Sequence, residues 1–368
     1  MCLIHIVAGN AMEGGQRYAL DICRHYAAPG GDVIAMTRDA KAIDSEFAAA
    51  GVPLVHAPLR DYPDVFSSII LKNILKSRRG VPVVVHTHRY RDALTAIIAR
   101  KLAARPDVKI VISRHISSPA KKNSLRRFIY RQVDAHIFSS GFSRKEFLSA
   151  WPQKRFPFDP SRLHVVFDSR LLSDNHPAPE PQKGAVTAMY HGTLRPGKGL
   201  KTLLRAFSKL KDTRLRLRIV GRGDSDYVDM LRRLAVTLGI MESIDWRLDS
   251  SDPAALIANC HFGVLPGETP DSGGMANIEY MAMGRPQICT FNGAQREYLT
   301  SGREALRVEP ADVEGLAEQM RRLYSDKELR LRIGTAARKR YEESLSWPRF
   351  ITKIHNIYTS NSCSICQS

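Results

Sequence analysis

The feature that most restricts what this chain can become is a repeated alternation. Short apolar runs break off at glycine or polar residues and pass into stretches with helical spacing. Leu3–Ala8 gives way to Gly9-Asn10, after which Tyr18, Leu20, Ile22, Cys23 and Tyr26 fall at helical intervals. Equivalent runs occupy Asp32–Thr37, Val83–His88, Lys109–Ser113 and Ala135–Ser140, and Val83–His88 leads into the helical set Leu94, Ile97, Ile98 and Leu102. A second series, Thr187–Gly192, Arg216–Gly221, Phe262–Pro266 and Pro286–Thr290, is interleaved with helical patterns over Leu200–Leu210, Tyr227–Leu238 and Met275–Met283. Strands alternating with helices predict α/β architecture, a doubly wound parallel sheet covered on both faces. Two series predict two such domains.

The 368 residues suffice for two domains of ordinary size. The expected boundaries are 1–172 for the first, 173–183 for a linker rich in proline and polar residues, and 184–345 for the second. Doubly wound domains bind ligands at the carboxyl ends of their strands, so the crevice between the halves is the expected site.

With 43% hydrophobic and 25% charged residues the chain is globular, and wholesale disorder is excluded. No apolar run approaches the ~18 residues of a membrane-spanning helix, and Met1–Val7 lack a basic lead or signal-type stretch, so a cytoplasmic location is expected. Six scattered cysteines do not form a disulfide framework; Cys363 and Cys366 make a single CxxC in a polar tail, read as a frayed end and not a zinc site. No metal site and no resident cofactor are expected.

The net charge of +18 is concentrated. Between Arg60 and Arg131 seventeen basic residues face four acidic ones. Such a patch attracts nucleic acid, anionic lipid or a phosphorylated substrate. No zinc-finger spacing, RNP-like motif or helix-turn-helix signal accompanies it, so nucleic acid is not the expected partner. Within Lys121–Arg131 the apolar Leu125, Phe128 and Ile129 share one helical face among cations, a pattern that suits either an anionic membrane surface or an ordinary surface helix packed by its stripe.

The most informative stretch runs from Leu265 to Pro286. A strand ends, a polar loop with Gly273-Gly274 follows, and a helix starts near Met275. Unpaired amides and the dipole at such a start suit a diphosphate, and Gly274, Met275 and Ala276 are the candidate contacts. Glu279, one turn further in, is placed to accept hydrogen bonds from ribose hydroxyls.

Asp271 through Pro286 resembles the signature of the GT-B glycosyltransferases, specifically the large retaining family four: an acid, seven residues and a glutamate, then A-M-A-x-G-x-P. Asp271 stands where the family carries glutamate, one methylene shorter toward the donor sugar, and Glu268 could substitute only if the loop folds differently. His191–Leu200 resembles the family's G-R-L-x-x-x-K-G turn, in which arginine and lysine bind the donor's phosphates; Lys198 matches the lysine, Thr193 replaces the arginine, and Arg195 is positioned to supply that charge. Gly192, Gly221 and Arg222 fall at the family's nucleotide-binding strand ends. Gly14-Gly15-Gln16-Arg17 resembles its loop over the active site, Val85–His88 its H-x-H strand end, and His115 its strand-terminal histidine facing the donor sugar.

The resemblance implies a transferase of two Rossmann-like domains. Lys198, Asp271 and His115 are the catalytic candidates and His88 lies on the acceptor or sugar side. A nucleotide-sugar is the co-substrate, a glycan or lipid-linked molecule of cell-envelope type the acceptor, and no metal is required. Ser346–Phe350 and Tyr358 resemble the family's last helix, which implies a segment over 346–358 crossing back to the first domain, followed by a polar tail over 359–368. Two alternatives share these motifs: a sugar-nucleotide epimerase of the same fold, and a family member that binds nucleotide-sugars without turnover.

Overall fold

The computed structural model describes residues 1–60, 63–152, 155–172, 181, 184–210, 214–248 and 254–360. Its thirteen strands in chain order are β1 (Cys2–Val7), β2 (Asp32–Thr37), β3 (Leu54–His56), β4 (Val83–Thr87), β5 (Lys109–Arg114), β6 (Ala135–Phe138), β7 (Leu163–Val165), β8 (Val186–His191), β9 (Leu215–Val220), β10 (Ile244–Arg247), β11 (Phe262–Leu265), β12 (Gln287–Thr290) and β13 (Leu306–Val308). They form two sheets, ordered β3-β2-β1-β4-β5-β6-β7 and β10-β9-β8-β11-β12-β13, and every pairing is parallel. The strand order reverses between β1 and β4 in one sheet and between β8 and β11 in the other. These are the switch points where open α/β sheets receive ligands.

The chain divides into two compact units: Met1–Phe167 with the described residues from Pro348 onward, and Asp168–Trp347. The division therefore falls after Phe167, so Asp168–Leu172 belong with the second unit. Two contacts explain this: Arg170 pairs with Glu279, and Leu172 packs against a cluster containing Met189, Val220 and Tyr280. The expected linker lies outside the described residues except for Pro181, as do Cys363 and Cys366.

The first unit is built on continuously apolar strands. All six residues of β1 are buried, including His5, the one polar residue in the run. The helix Trp347–Thr359 supplies the last layer of this unit: Phe350 meets Tyr18 edge-on at 5.4 Å, and Tyr26 Oη lies 3.0 Å from His355 Nδ1. Buried Lys109 donates to the carbonyls of Ile357 and Ser360, the latter at 2.8 Å.

Several cations of the basic segment are internal ties and not a free patch. Arg78 pairs with Asp32, Arg89 with Asp92, Arg100 with Asp134 and Arg105 with Asp107. The basic helix begins at Ser124, capped by Asn123, so Lys121 and Lys122 precede it. Its apolar stripe is split: Ile129 is in the core, whereas Leu125 and Phe128 are exposed.

Candidate functional site

In the second unit the loops following β8, β9 and β11 are laced together by backbone. Gly192 N donates to Val220 O at 3.0 Å and Leu194 N to Arg222 O at 2.7 Å, while Glu268 N and Thr269 N donate to Gly197 O at 2.9 and 3.1 Å. Glycine is required where these loops touch. A Cβ on Gly221 would sit 1.9 Å from Gly192 O, and one on Gly199 1.8 Å from Pro266 O. Gly274 has φ +71 and caps the helix Met275–Ala282, and a Cβ there would lie 2.1 Å from Tyr298 Oη.

Asp271 occupies this helix entry. Its Oδ1 accepts from Gly273 N at 3.3 Å and Gly274 N at 3.1 Å, and its Oδ2 lies 3.1 Å from Lys198 Nζ. Burial alone would raise this carboxyl, but Lys198 and the two amides outweigh it and hold it below the usual range. Glu268 is bound elsewhere, accepting from Thr202 Oγ1 at 2.9 Å, so Asp271 is the acid of this loop that engages the lysine.

Glu279 is 3% exposed and both its oxygens are engaged, Oε1 by Arg170 Nη1 and Oε2 by His191 Nε2 at 2.5 Å. It is thus one corner of a buried three-residue cluster with Arg170 and His191. Thr193 and Arg195 are exposed on the β8 loop and Arg222 on the β9 loop. Met275 and Ala276 form the first helical turn beside Asp271.

Sequence reasoning missed Arg170 and Asp168, which sit in the non-periodic stretch between β7 and the linker. Burial, reinforced by the charge of Asp271, pushes the Asp168 carboxyl up to about 7. An unfolded aspartate titrates near ~3.9. The native state therefore gains from protonated Asp168 fully in acid, and that gain disappears as pH rises through about 7. Wild type should accordingly lose stability relative to Asp168→Asn as pH climbs from about 4 to 7. Denaturant midpoints that track in parallel across this window would refute the assignment.

The first unit gathers histidines at its own switch point. His5 Nδ1 lies 3.3 Å from His88 Nε2, and His88 Nδ1 lies 3.1 Å from His115 Nε2. His86 Nε2 meets Ser113 Oγ at 2.8 Å, itself 3.0 Å from Tyr18 Oη, and His86 Nδ1 meets Tyr358 Oη at 2.5 Å. Burial lowers His5 to about 3 and His115 to about 4. Burial and then neighbouring imidazoles hold His86 and His88 well below the usual range. Gly14 and Gly15 are the first turn of the helix Gly14–Tyr26 and not a loop; a Cβ on Gly15 would meet His115 Cδ2 at 3.3 Å. Of the expected pair His88 and His115, both are in the cluster. His5 was signalled only by being polar within an apolar strand.

Among the described residues, Asp39, Asp44 and His56 are the one group of three whose ligand atoms could close on a cation. They include none of the site residues above.

Residues 173–340 match the family model described as glycosyl transferases group 1, and residues 12–167 match that described as glycosyltransferase family 4. Among curated proteins, the chain is similar to glycogen synthase of Mycobacterium tuberculosis, 24% identical over 305 residues that cover 78% of this chain and 71% of that protein. It is also similar to a GDP-mannose-dependent phosphatidylinositol monomannoside mannosyltransferase of Corynebacterium glutamicum, 26% identical and covering 66% of each chain. Among solved structures, Anabaena HepE in complex with UDP and glucose superposes with a TM-score of 0.82 at 15% identity, covering 98% of this chain and 100% of that one.

Proposed function

This chain belongs to the group 1, family four glycosyltransferases and has their GT-B fold; on that premise we propose that it is a retaining enzyme that transfers a sugar from a nucleoside diphosphate sugar to a hydroxyl of a glycan or lipid-linked acceptor of cell-envelope type. The observation that carries the donor half of this reading is the convergence of Lys198 Nζ and the Gly273 and Gly274 amides on one carboxylate, that of Asp271. Donors that satisfy one oxyanion at a helix entry suit the oxygens of a diphosphate. When the diphosphate takes those donors, Asp271 is released toward the hydroxyls of the transferred sugar. Glu279, held by Arg170 and His191, is the residue this reading assigns to the ribose hydroxyls.

In this reaction the bond from the anomeric carbon to the diphosphate oxygen breaks and its electron pair stays on the diphosphate. Lys198 neutralises the charge that develops there, and the helix-entry amides share it. The acceptor oxygen bonds to the anomeric carbon on the same face, and its proton passes to the departing diphosphate, so no protein nucleophile is called for. HepE, solved with UDP and glucose, and the mannosyltransferase, named for GDP-mannose, support a nucleoside diphosphate sugar as donor class. The test is a panel of nucleotide-sugars scored for thermal stabilisation and for product with and without acceptor. Stabilisation by none of them would overturn the reading; an altered sugar from donor alone would favour the epimerase; stabilisation without turnover on any acceptor would favour the non-catalytic alternative.

We place the acceptor's membrane on the first unit. Val65, Phe66, Ile69, Leu102, Ile116, Leu125 and Phe128 are exposed there, Phe66 by 71%. They lie on or beside the helices Val65–Ser77, Tyr90–Leu102 and Ser124–Gln132, which pack side by side. The same helices and their flanks carry the exposed Lys76, Arg79, Lys101, Lys121, Lys122 and Arg127, and Lys101 Nζ lies 5.3 Å over the Phe128 ring. Exposed apolar side chains and cations carried by the same helices suit an anionic lipid surface. Co-sedimentation with vesicles containing phosphatidylglycerol should fall as salt rises, and Phe66→Ser combined with Phe128→Ser should weaken it at constant charge. Equal binding to purely zwitterionic vesicles would contradict the assignment.

A further inference from the structure

The imidazoles of the first unit form a directed chain. A neutral imidazole has one N–H and one bare nitrogen, so each hydrogen bond in a row of them fixes the sense of the next. The row here is His5 Nδ1 to His88 Nε2 at 3.3 Å, then His88 Nδ1 to His115 Nε2 at 3.1 Å. Only two senses exist.

The far end chooses between them. His5 Nε2 is buried and has no hydrogen-bond partner among the described residues. If the row ran from His115 toward His5, the proton of His5 would sit on that nitrogen and an N–H would be stranded in the core. Buried N–H groups without an acceptor are the rarer defect in folded proteins. With the opposite sense, His5 carries its proton on Nδ1 and donates to His88, and His88 donates from Nδ1 to His115. The low proton affinity of these desolvated rings keeps a second proton off the row.

We propose that His5 and His88 are positioning residues that hold His115 in its Nδ1–H form, so that His115 meets an oxygen of the bound sugar or acceptor as a hydrogen-bond donor and not as a base. Its Nε2 lone pair is taken by His88 and its Nδ1 already bears a proton. The acceptor's proton must then leave by another route, which agrees with its passing to the diphosphate. Only the identity of the oxygen facing His115 rests on the transferase reading; the protonation pattern stands on the geometry of the row.

The test is long-range proton–nitrogen correlation NMR on the full chain labelled with nitrogen-15 in its histidines, with no donor added. The expected result is His115 protonated at Nδ1 and bare at Nε2. Protonation at Nε2, or at both nitrogens at neutral pH, would overturn the proposal. Two variants test the cause. His88→Asn places an N–H near the former Nδ1 and should preserve the His115 pattern, whereas His88→Asp offers only an acceptor there and should switch His115 to Nε2–H. The same pattern in both folded variants would show that the row does not set it, and would also overturn the proposal. Should the aspartate variant fail to fold, the wild-type spectrum decides alone. The expected spectrum in a protein that binds no nucleotide-sugar would leave this inference standing and remove the transferase reading instead.

Discussion

Arg170→Ala is expected to destabilise the second unit by about 3–5 kcal/mol, the cost of leaving a buried carboxylate without its cation. The Arg170 and Glu279 side chains are 10% and 4% exposed, so water cannot replace the lost guanidinium without opening the core around Tyr280 and Met281. His191 alone is a poor substitute, because it makes a single hydrogen bond to one oxygen of the carboxylate. Denaturant unfolding measures the loss. Arg170→Met combined with Glu279→Gln removes both charges, and should recover most of the stability while abolishing whatever Glu279 does for the nucleotide. A single variant as stable as wild type would mean that Glu279 is solvated, contrary to its surroundings.

Lys198→Ala should behave in the opposite way. Lys198 is 27% exposed and its partner Asp271 34%, so the fold should tolerate its loss, whereas turnover should fall by roughly 10²–10³ as one positive contact to the departing diphosphate disappears. Steady-state kinetics on whichever donor the panel identifies provides the measurement, with thermal melting as the control for folding. A variant that turns over at the wild-type rate would remove Lys198 from the phosphate site. Together the two substitutions test whether the Arg170–Glu279 pair serves stability and the Lys198–Asp271 pair turnover.

The architecture was readable where packing imposes a clear pattern. Eight of the nine strands with neighbours on both sides appear in the sequence as mainly apolar runs because both of their faces are covered, and β9 alternates arginine with leucine before its apolar end. The four that were not anticipated, β3, β7, β10 and β13, are the four sheet edges, each three or four residues long. At that length a two-residue period cannot be distinguished from loop, and half-exposed edges need no apolar run. The site divides in the same way. The acid of the Asp271 loop, Lys198, Glu279, His88 and His115 stand in local motifs. Arg170 lies 109 residues from the glutamate it neutralises, and no local spacing encodes that pairing. Nor does spacing reveal that Glu279 would be enclosed, since burial depends on what the rest of the chain brings to it.

The helix that closes the first unit has a consequence for biosynthesis. Lys109 leaves the ribosome 248 and 251 residues ahead of the Ile357 and Ser360 carbonyls that receive its ammonium, and His86 precedes its Tyr358 hydroxyl by 272. Everything the second unit needs lies in one uninterrupted span, Asp168–Trp347. The later-translated unit can therefore mature first, while the earlier one waits with an unmatched cation until the helix Trp347–Thr359 and Ser360 have been made.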